Sequence, residues 1–176
     1  MYLIFDAAGV PQHTQIELRT RLNQKINNLQ PWSYSHFEWN TLYDPNNAYE
    51  KAGAERVSEA CPVYNCHGLT FGSRRTQVEN SEATLHMILE DDGFERINQG
   101  LVKPGDVVVY YDDGGRIEHT GIVVRTDDKF GVPKIWSKWG KGFEWIHPVP
   151  VCPFNSSTVQ YYRLSKWKPE EILKRN

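Results

Sequence analysis

The chain has 176 residues, 39% of them apolar, enough to bury one sizeable core and too few for two full domains. Its formal net charge is −2, with acidic and basic residues scattered, so neither a nucleic-acid backbone nor an anionic membrane is an expected partner. Three cysteines, Cys61, Cys66 and Cys152, are too few for a disulfide framework and form no Cys-x-x-Cys pair for zinc.

In chain order, MYLIFDAAGVPQ has no charged n-region and meets Asp6 early, so no secretory signal peptide is expected. No apolar run approaches the roughly 20 residues of a transmembrane helix. The expectation is a protein cytoplasmic as synthesised, with export by a route that reads no cleavable signal left open. Thr14 and Glu17 have capping-box spacing, and Ile16, Leu18, Leu22, Ile26 and Leu29 recur at helical intervals, which predicts a helix from about 15 to 29. The helix stops before Pro31, and the aromatic stretch PWSYSHFEWNTLYDPNN reads as a loop pinned by Trp32, Phe37 and Trp39.

HGLTFGSRR, which follows Cys66, can be helical, with Gly68 and Gly72 one turn apart on a face open to close backbone approach. After Ser81, the residues Leu85, Ile88 and Leu89 with acidic Glu82 predict another helix, ended by Asp91-Asp92-Gly93. From Phe94 onward the runs FERI, DVVVYY, HTGIVV, PKIWSKW, FEWIH and VQYYRL are β-favouring and are separated by turn signals. The polar tail KPEEILKRN is read as a last short helix. Helices first and strands after give an α+β order with an antiparallel, meandering sheet.

Cys66 is predicted at a helix start, where unpaired N–H groups favour thiolate over thiol and can hold an oxyanion. A thiolate nucleophile needs a proton carrier, and histidine suits that work near neutrality. Of six histidines, His13, His36 and His86 have structural contexts, and His67 adjoins Cys66 without facing it. His119 opens a predicted strand after the turn Asp112-Asp113-Gly114-Gly115 and shares a face with Gly121, which leaves room for a helix end to pack close. If the next hairpin turns around Asp128 and Lys129, Ser137 is the small polar residue nearest His119, with His147 as the alternative orienter. Lys138 would repel an imidazolium. Asp106 is read as a turn residue that satisfies backbone donors.

The order Asn65-Cys66-His67-Gly68, then Pro104-Gly105-Asp106-Val107-Val108-Val109-Tyr110, then His119-Thr120-Gly121-Ile122-Val123 resembles the NlpC/P60 and CHAP group of papain-like cysteine peptidases and amidases. The similarity covers roughly Tyr64 to Trp139. In that group the nucleophile motif commonly reads Asp-Cys-Ser-Gly, so Asn65 and His67 depart from it, and the third position is usually His, Asn or Gln. The resemblance implies a catalytic core, read here over 56–165, with a nucleophile helix on a sheet of about five strands; the helical pattern before it gives an N-terminal helical extension over 1–55, and the polar end a tail over 166–176. The resemblance also implies amide hydrolysis by Cys66 and His119 with Ser137 as orienter, and neither metal nor organic cofactor. A peptidoglycan stem peptide, another peptide or a protein would be the substrate. Two other readings stay open: a toxin or effector that deamidates or cleaves a protein, with a cognate immunity or inhibitor protein as partner, and a noncatalytic binding module using the aromatic surface around Trp136, Trp139 and Trp145.

Overall fold

Residues 13–31, 48–126, 131–154 and 156–165 are described by a computed structural model. The predicted loop residues Trp32, Phe37 and Trp39, His36, the turn at Asp128 and Lys129 and the tail beyond Ser165 lie outside them.

The β-favouring runs became strands in the predicted order. They are β5 (Phe94–Ile97), β6 (Val107–Tyr111), β7 (Ile117–Thr126), β8 (Pro133–Lys138), β9 (Glu144–Pro148) and β10 (Thr158–Leu164). With β3 (Glu55–Arg56) they form one antiparallel sheet of seven strands, ordered β3-β9-β8-β7-β6-β10-β5, rather than about five. Three helices are described: α1 (Ala48–Lys51), α2 (Cys66–Phe71) and α3 (Glu82–Asp91). α3 starts where its sequence signals it, because the Ser81 side chain accepts the Thr84 N–H and so caps the first turn. Its apolar positions Leu85, Ile88 and Leu89 are buried against the sheet. Mixed α+β architecture is therefore the observed class.

The helix predicted over 15–29 is absent. Instead β1 (His13–Thr14) and β2 (Asn28–Pro31) pair antiparallel, and β4 (Gln77–Val78) joins β2 to complete a three-stranded sheet. The chain reverses through Thr20 to Gln24, with Asn23 at a φ of 68°, a left-handed conformation that asparagine tolerates. Leu18, Thr20, Ile26 and Asn28 are the buried residues, a period of two on each arm that the helical spacing of 16, 18, 22, 26 and 29 concealed. Buried Asn28 locks the reversal: its Nδ2 donates to the carbonyls of Ile16 and Ile26, and its Oδ1 accepts the Ile16 N–H. Thr14, read as a cap, donates to Gln30 Oε1 across the hairpin instead.

Two apolar layers line the large sheet. Val107, Val109, Tyr111 and Ile117 face α3 together with Leu18, Ile26 and Val78, while Val108, Tyr110, Val123, Ile135 and Tyr161 fill the other face. A bulge between Tyr110 and Tyr111 lets His119 pair with Tyr110 and Ile117 with Tyr111, so these two β7 residues lie on opposite faces despite their even spacing. Buried Asp106 behaves as a turn residue, accepting the Lys103 N–H, and it also pairs with Arg163 at 2.8 Å. No described helix is long and apolar enough to cross a membrane.

Candidate active site

α2 owes its place to two contacts. Asn65 caps it through Oδ1, which accepts the N–H groups of Gly68 at 2.8 Å and Val78 at 3.1 Å, while its Nδ2 donates to the Val78 carbonyl at 2.8 Å. Gly68 then lies against the chain at Thr76, where a Cβ would stand 1.9 Å from the Thr76 carbonyl oxygen. The predicted close approach is real, and it is made to the 72–76 segment.

α2 packs on β7 and β8. Thr120 is the β7 residue that meets it: its hydroxyl donates to Thr70 Oγ1 at 3.1 Å and pairs with His67 Nδ1 at 2.9 Å. Side chains alternate along a strand, so His119 and Gly121 occupy the far face. Gly121 accordingly makes room not for a helix end but for Ile135 and Ser137, whose Cγ2 and Cβ would lie 2.5 and 3.0 Å from an added Cβ.

Cys66 is buried, and the backbone N–H groups of Thr120, His67 and Cys66 itself favour its thiolate. Burial nonetheless wins and pushes the thiol up to about 11; the three N–H groups and the Lys138 ammonium pull the other way. The expected lowering at a helix start is thus overridden, since six residues make a weak dipole and solvent is excluded. Cys152 is only half-buried, yet desolvation raises its thiol to about 12.

His119 has no exposed surface, and neither ring nitrogen has a hydrogen-bond partner among the described residues. Its ring stacks on Phe154 at 4.3 Å and leans on Tyr110 at 5.5 Å. Burial holds its pKa well below 6.5, and repulsion from His67 and His147 acts in the same direction. His67 is a buried structural residue with both nitrogens engaged, the second by Asn80 Oδ1 at 3.2 Å.

Ser137 and His147 come together, but on each other: Ser137 Oγ lies 2.9 Å from His147 Nε2 and accepts Trp139 Nε1 at 3.1 Å. His147 Nδ1 reaches the Pro148 carbonyl, and its pKa is lowered to about 4, chiefly by burial. Neither Ser137 nor His147 bonds His119. His119 does not bond Cys66 either; Thr120, which follows it in β7, has an N–H that favours the Cys66 thiolate.

A buried polar cluster beside α2 escaped the sequence reading. Glu144 accepts from Arg74 Nη2 at 2.8 Å, from Trp136 Nε1 at 2.9 Å and from the Tyr64 hydroxyl. Lys138, fully buried, donates to the Gly142 carbonyl and lies 4.5 Å from the centre of the Tyr64 ring. Lys138 and Glu144 are direct partners across β8 and β9, and that opposite-charge pairing flanking a Gly-Lys-Gly turn was the available signal. Compared with family models, with curated proteins and with solved structures, the chain matches none.

Proposed function

We propose that the protein is a cysteine-dependent amide hydrolase on an NlpC/P60-like, papain-type core, with Cys66 as nucleophile and His119 as proton carrier. The observation that carries this reading is the unpartnered, fully buried imidazole of His119, next in sequence to Thr120, whose N–H favours the Cys66 thiolate. A buried polar group without a partner costs on the order of 1–3 kcal/mol, and such a cost persists where a group is kept ready for a reacting atom.

His119 lies on the sheet face away from α2, so the reaction requires substrate entry to bring its ring to Cys66; the thiol proton then passes to a His119 nitrogen as the sulfur–carbonyl carbon bond forms. The backbone N–H groups around the sulfur then receive the charge that develops on the carbonyl oxygen. The C–N bond breaks, His119 returns the proton to the leaving amine, and water releases the acyl group by the reverse sequence. Both groups are neutral and enclosed at rest, so substrate entry must lift Phe154 from His119, at a cost of about 0.5–1.5 kcal/mol for the ring pair. Ser137 supports His119 only indirectly in this scheme, through the β8 backbone. The substrate class is a peptidoglycan stem peptide or a protein side-chain amide, the latter with a cognate inhibitor as partner.

The enclosed, neutral thiol also favours a second reading, a binding module that presents its aromatic groups. Trp139 stacks on Trp145 at 4.6 Å, and Tyr49 meets Trp139 at 4.7 Å. One experiment separates the two: mass-spectrometric assay of stem-peptide and glutamine-amide hydrolysis by the wild type, Cys66→Ala and His119→Ala. The hydrolase reading requires wild-type turnover and losses of at least about a hundredfold in both variants. Turnover that survives Cys66→Ala sinks it, and no turnover with tight peptide binding selects the module.

A further inference from the structure

His67, the neighbour of Cys66 in the chain, is buried between α2 and β7, and so is Thr120 opposite it. Both belong to a run of hydrogen bonds that returns to Cys66. The Thr70 hydroxyl donates to the Cys66 carbonyl at 2.9 Å, the Thr120 hydroxyl donates to Thr70 Oγ1 at 3.1 Å, and Thr120 Oγ1 lies 2.9 Å from His67 Nδ1. The peptide bond from Cys66 to His67 closes the ring.

Counting protons fixes the direction of each bond, because a hydroxyl has only one to give. Thr70 directs its own to the Cys66 carbonyl and so accepts from Thr120. Thr120, with its proton on Thr70, can only accept from His67, and Nδ1 must therefore carry a hydrogen. Burial pulls the His67 ring down to about 4, so it is neutral near pH 7 and its Nε2 is left as an acceptor. Facing Nε2 at 3.2 Å is the side-chain amide of Asn80, an exposed residue. A half-turn of that amide presents Nδ2 in place of Oδ1 and completes the last bond. The opposite tautomer would suit Asn80 Oδ1, but it would leave one of the two buried contacts of Thr120 without a proton. Turning an exposed amide costs less than breaking a buried bond.

We propose that His67 is a positioning residue for Cys66, an Nδ1–H donor that closes this ring and ties the first turn of α2 to β7. The assignment deepens the reading of Cys66 as nucleophile, and its catalytic meaning rests on that reading. α2 has only six residues, and the ring fixes the Cys66 backbone relative to Thr120, the residue whose N–H favours the thiolate. A nucleophile displaced by a fraction of an ångström from its line of attack loses rate, so a closed ring at its own carbonyl holds the sulfur where it must react.

The first test needs no substitution: heteronuclear NMR of the histidine ring nitrogens in the full chain near pH 7, with His67→Asn to identify the His67 signals. The expected state is neutral with hydrogen on Nδ1, and a His67 found with hydrogen on Nε2, or on both nitrogens, overturns the proposal. Thr120→Val keeps the shape and the backbone N–H but removes the acceptor, so the hydrogen should move to Nε2 and Asn80 Oδ1; a tautomer that stays on Nδ1 overturns it as well. Hydrolysis of stem-peptide and glutamine-amide substrates then tests the positioning role. Thr120→Val should lower kcat by about tenfold with KM little changed, while Thr120→Ser, which restores the hydroxyl, stays within about twofold of wild type. His67→Phe should lose as much as Thr120→Val, and the double variant no more than either alone, because the ring acts as a unit. Losses that multiply in the double variant, or a kcat untouched by Thr120→Val in an active enzyme, overturn the role. The tautomer is read without turnover, so a protein with no amidase activity loses the hydrolase reading while the ring is judged on its own.

Discussion

Asn65 provides the sharpest test of how the nucleophile is held, because the group that the sequence resembles carries aspartate there. The structure uses three of the four hydrogen-bonding positions of an amide: two N–H groups, of Gly68 and Val78, accepted by Oδ1, and the Val78 carbonyl reached by Nδ2. Asn65→Asp keeps both acceptor contacts and strengthens the cap by about 0.3–1 kcal/mol through its charge. It also sets a carboxylate oxygen where Nδ2 now stands, 2.8 Å from the Val78 carbonyl. The lost bond and the new repulsion cost about 1–3 kcal/mol, so the net effect is destabilising by about 1–2 kcal/mol. At roughly 2–4 °C per kcal/mol for a chain of this size, the melting temperature should fall by about 2–8 °C. Asn65→Ala, which removes all three bonds, should cost about 3 kcal/mol, or roughly 6–12 °C.

Thermal melts followed by near-UV circular dichroism measure these differences, with Cys66 alkylation at pH 8 as the readout at the site. The added charge of Asn65→Asp lies one residue from the sulfur and should slow alkylation, since it disfavours thiolate. An Asn65→Asp variant as stable as wild type, with alkylation unchanged, would mean that the Nδ2 contact is not made and that the departure from the Asp pattern carries no structural meaning.

The sheet was legible because its strands announce themselves locally. Val107 to Tyr111 is a continuous β-branched and aromatic run after a Pro-Gly turn, and Ser81 with Leu85, Ile88 and Leu89 declares α3 within one window. Residues 15 to 29 were misread because Ile16, Leu18 and Ile26 satisfy both periods, and the arbiter, Asn28 bonded across the hairpin, is a long-range contact. The large sheet outgrew five strands because all six β-favouring runs joined it and because β3, two exposed residues that no pattern marks, is added by pairing with Ile146 and Trp145. At the site, motif order located Cys66 and His119 but not their faces, because the bulge at Tyr110 resets the alternation of β7. Ser137 was placed near His119 by register; its partner His147 was visible in the sequence, but their mutual bond depends on β8 and β9 pairing Ser137 with Trp145.

Gly68→Ala should destabilise by at least about 1–3 kcal/mol in urea unfolding, because its Cβ would overlap the Thr76 carbonyl and the backbone must move; a neutral outcome would mean that α2 does not approach this segment. Ser137→Ala should cost about 1–2 kcal/mol of stability through its bonds with His147 and Trp139 yet leave amide hydrolysis within a few fold of wild type, and a loss as deep as that of His119→Ala would return Ser137 to the site. The last expectation is acid sensitivity above the range in which carboxylates titrate. In the unfolded chain a histidine ionises near 6.5, whereas burial holds His67 and His147 at about 4 and His119 well below 6.5. Between those values the unfolded state binds more protons, so stability is unaffected above about pH 7 and falls as the pH drops from 6.5 toward 4. His67 and His147 would each remove about 3 kcal/mol across that window, a large part of the roughly 5–15 kcal/mol that holds a domain together. Glu79 and Asp112 have carboxyls lowered by hydrogen bonds to Asn27 and Arg116 respectively, so protonating them acts only below this window. Urea midpoints at pH 7.5, 6.5, 5.5 and 4.5 should therefore hold and then decline stepwise, and His67→Asn should flatten the decline by its own share. A midpoint constant from pH 7.5 to 4.5 would show that these rings reach solvent or carry their charge in the folded protein, and the enclosed, neutral His119 on which the proton-transfer scheme depends would go with them.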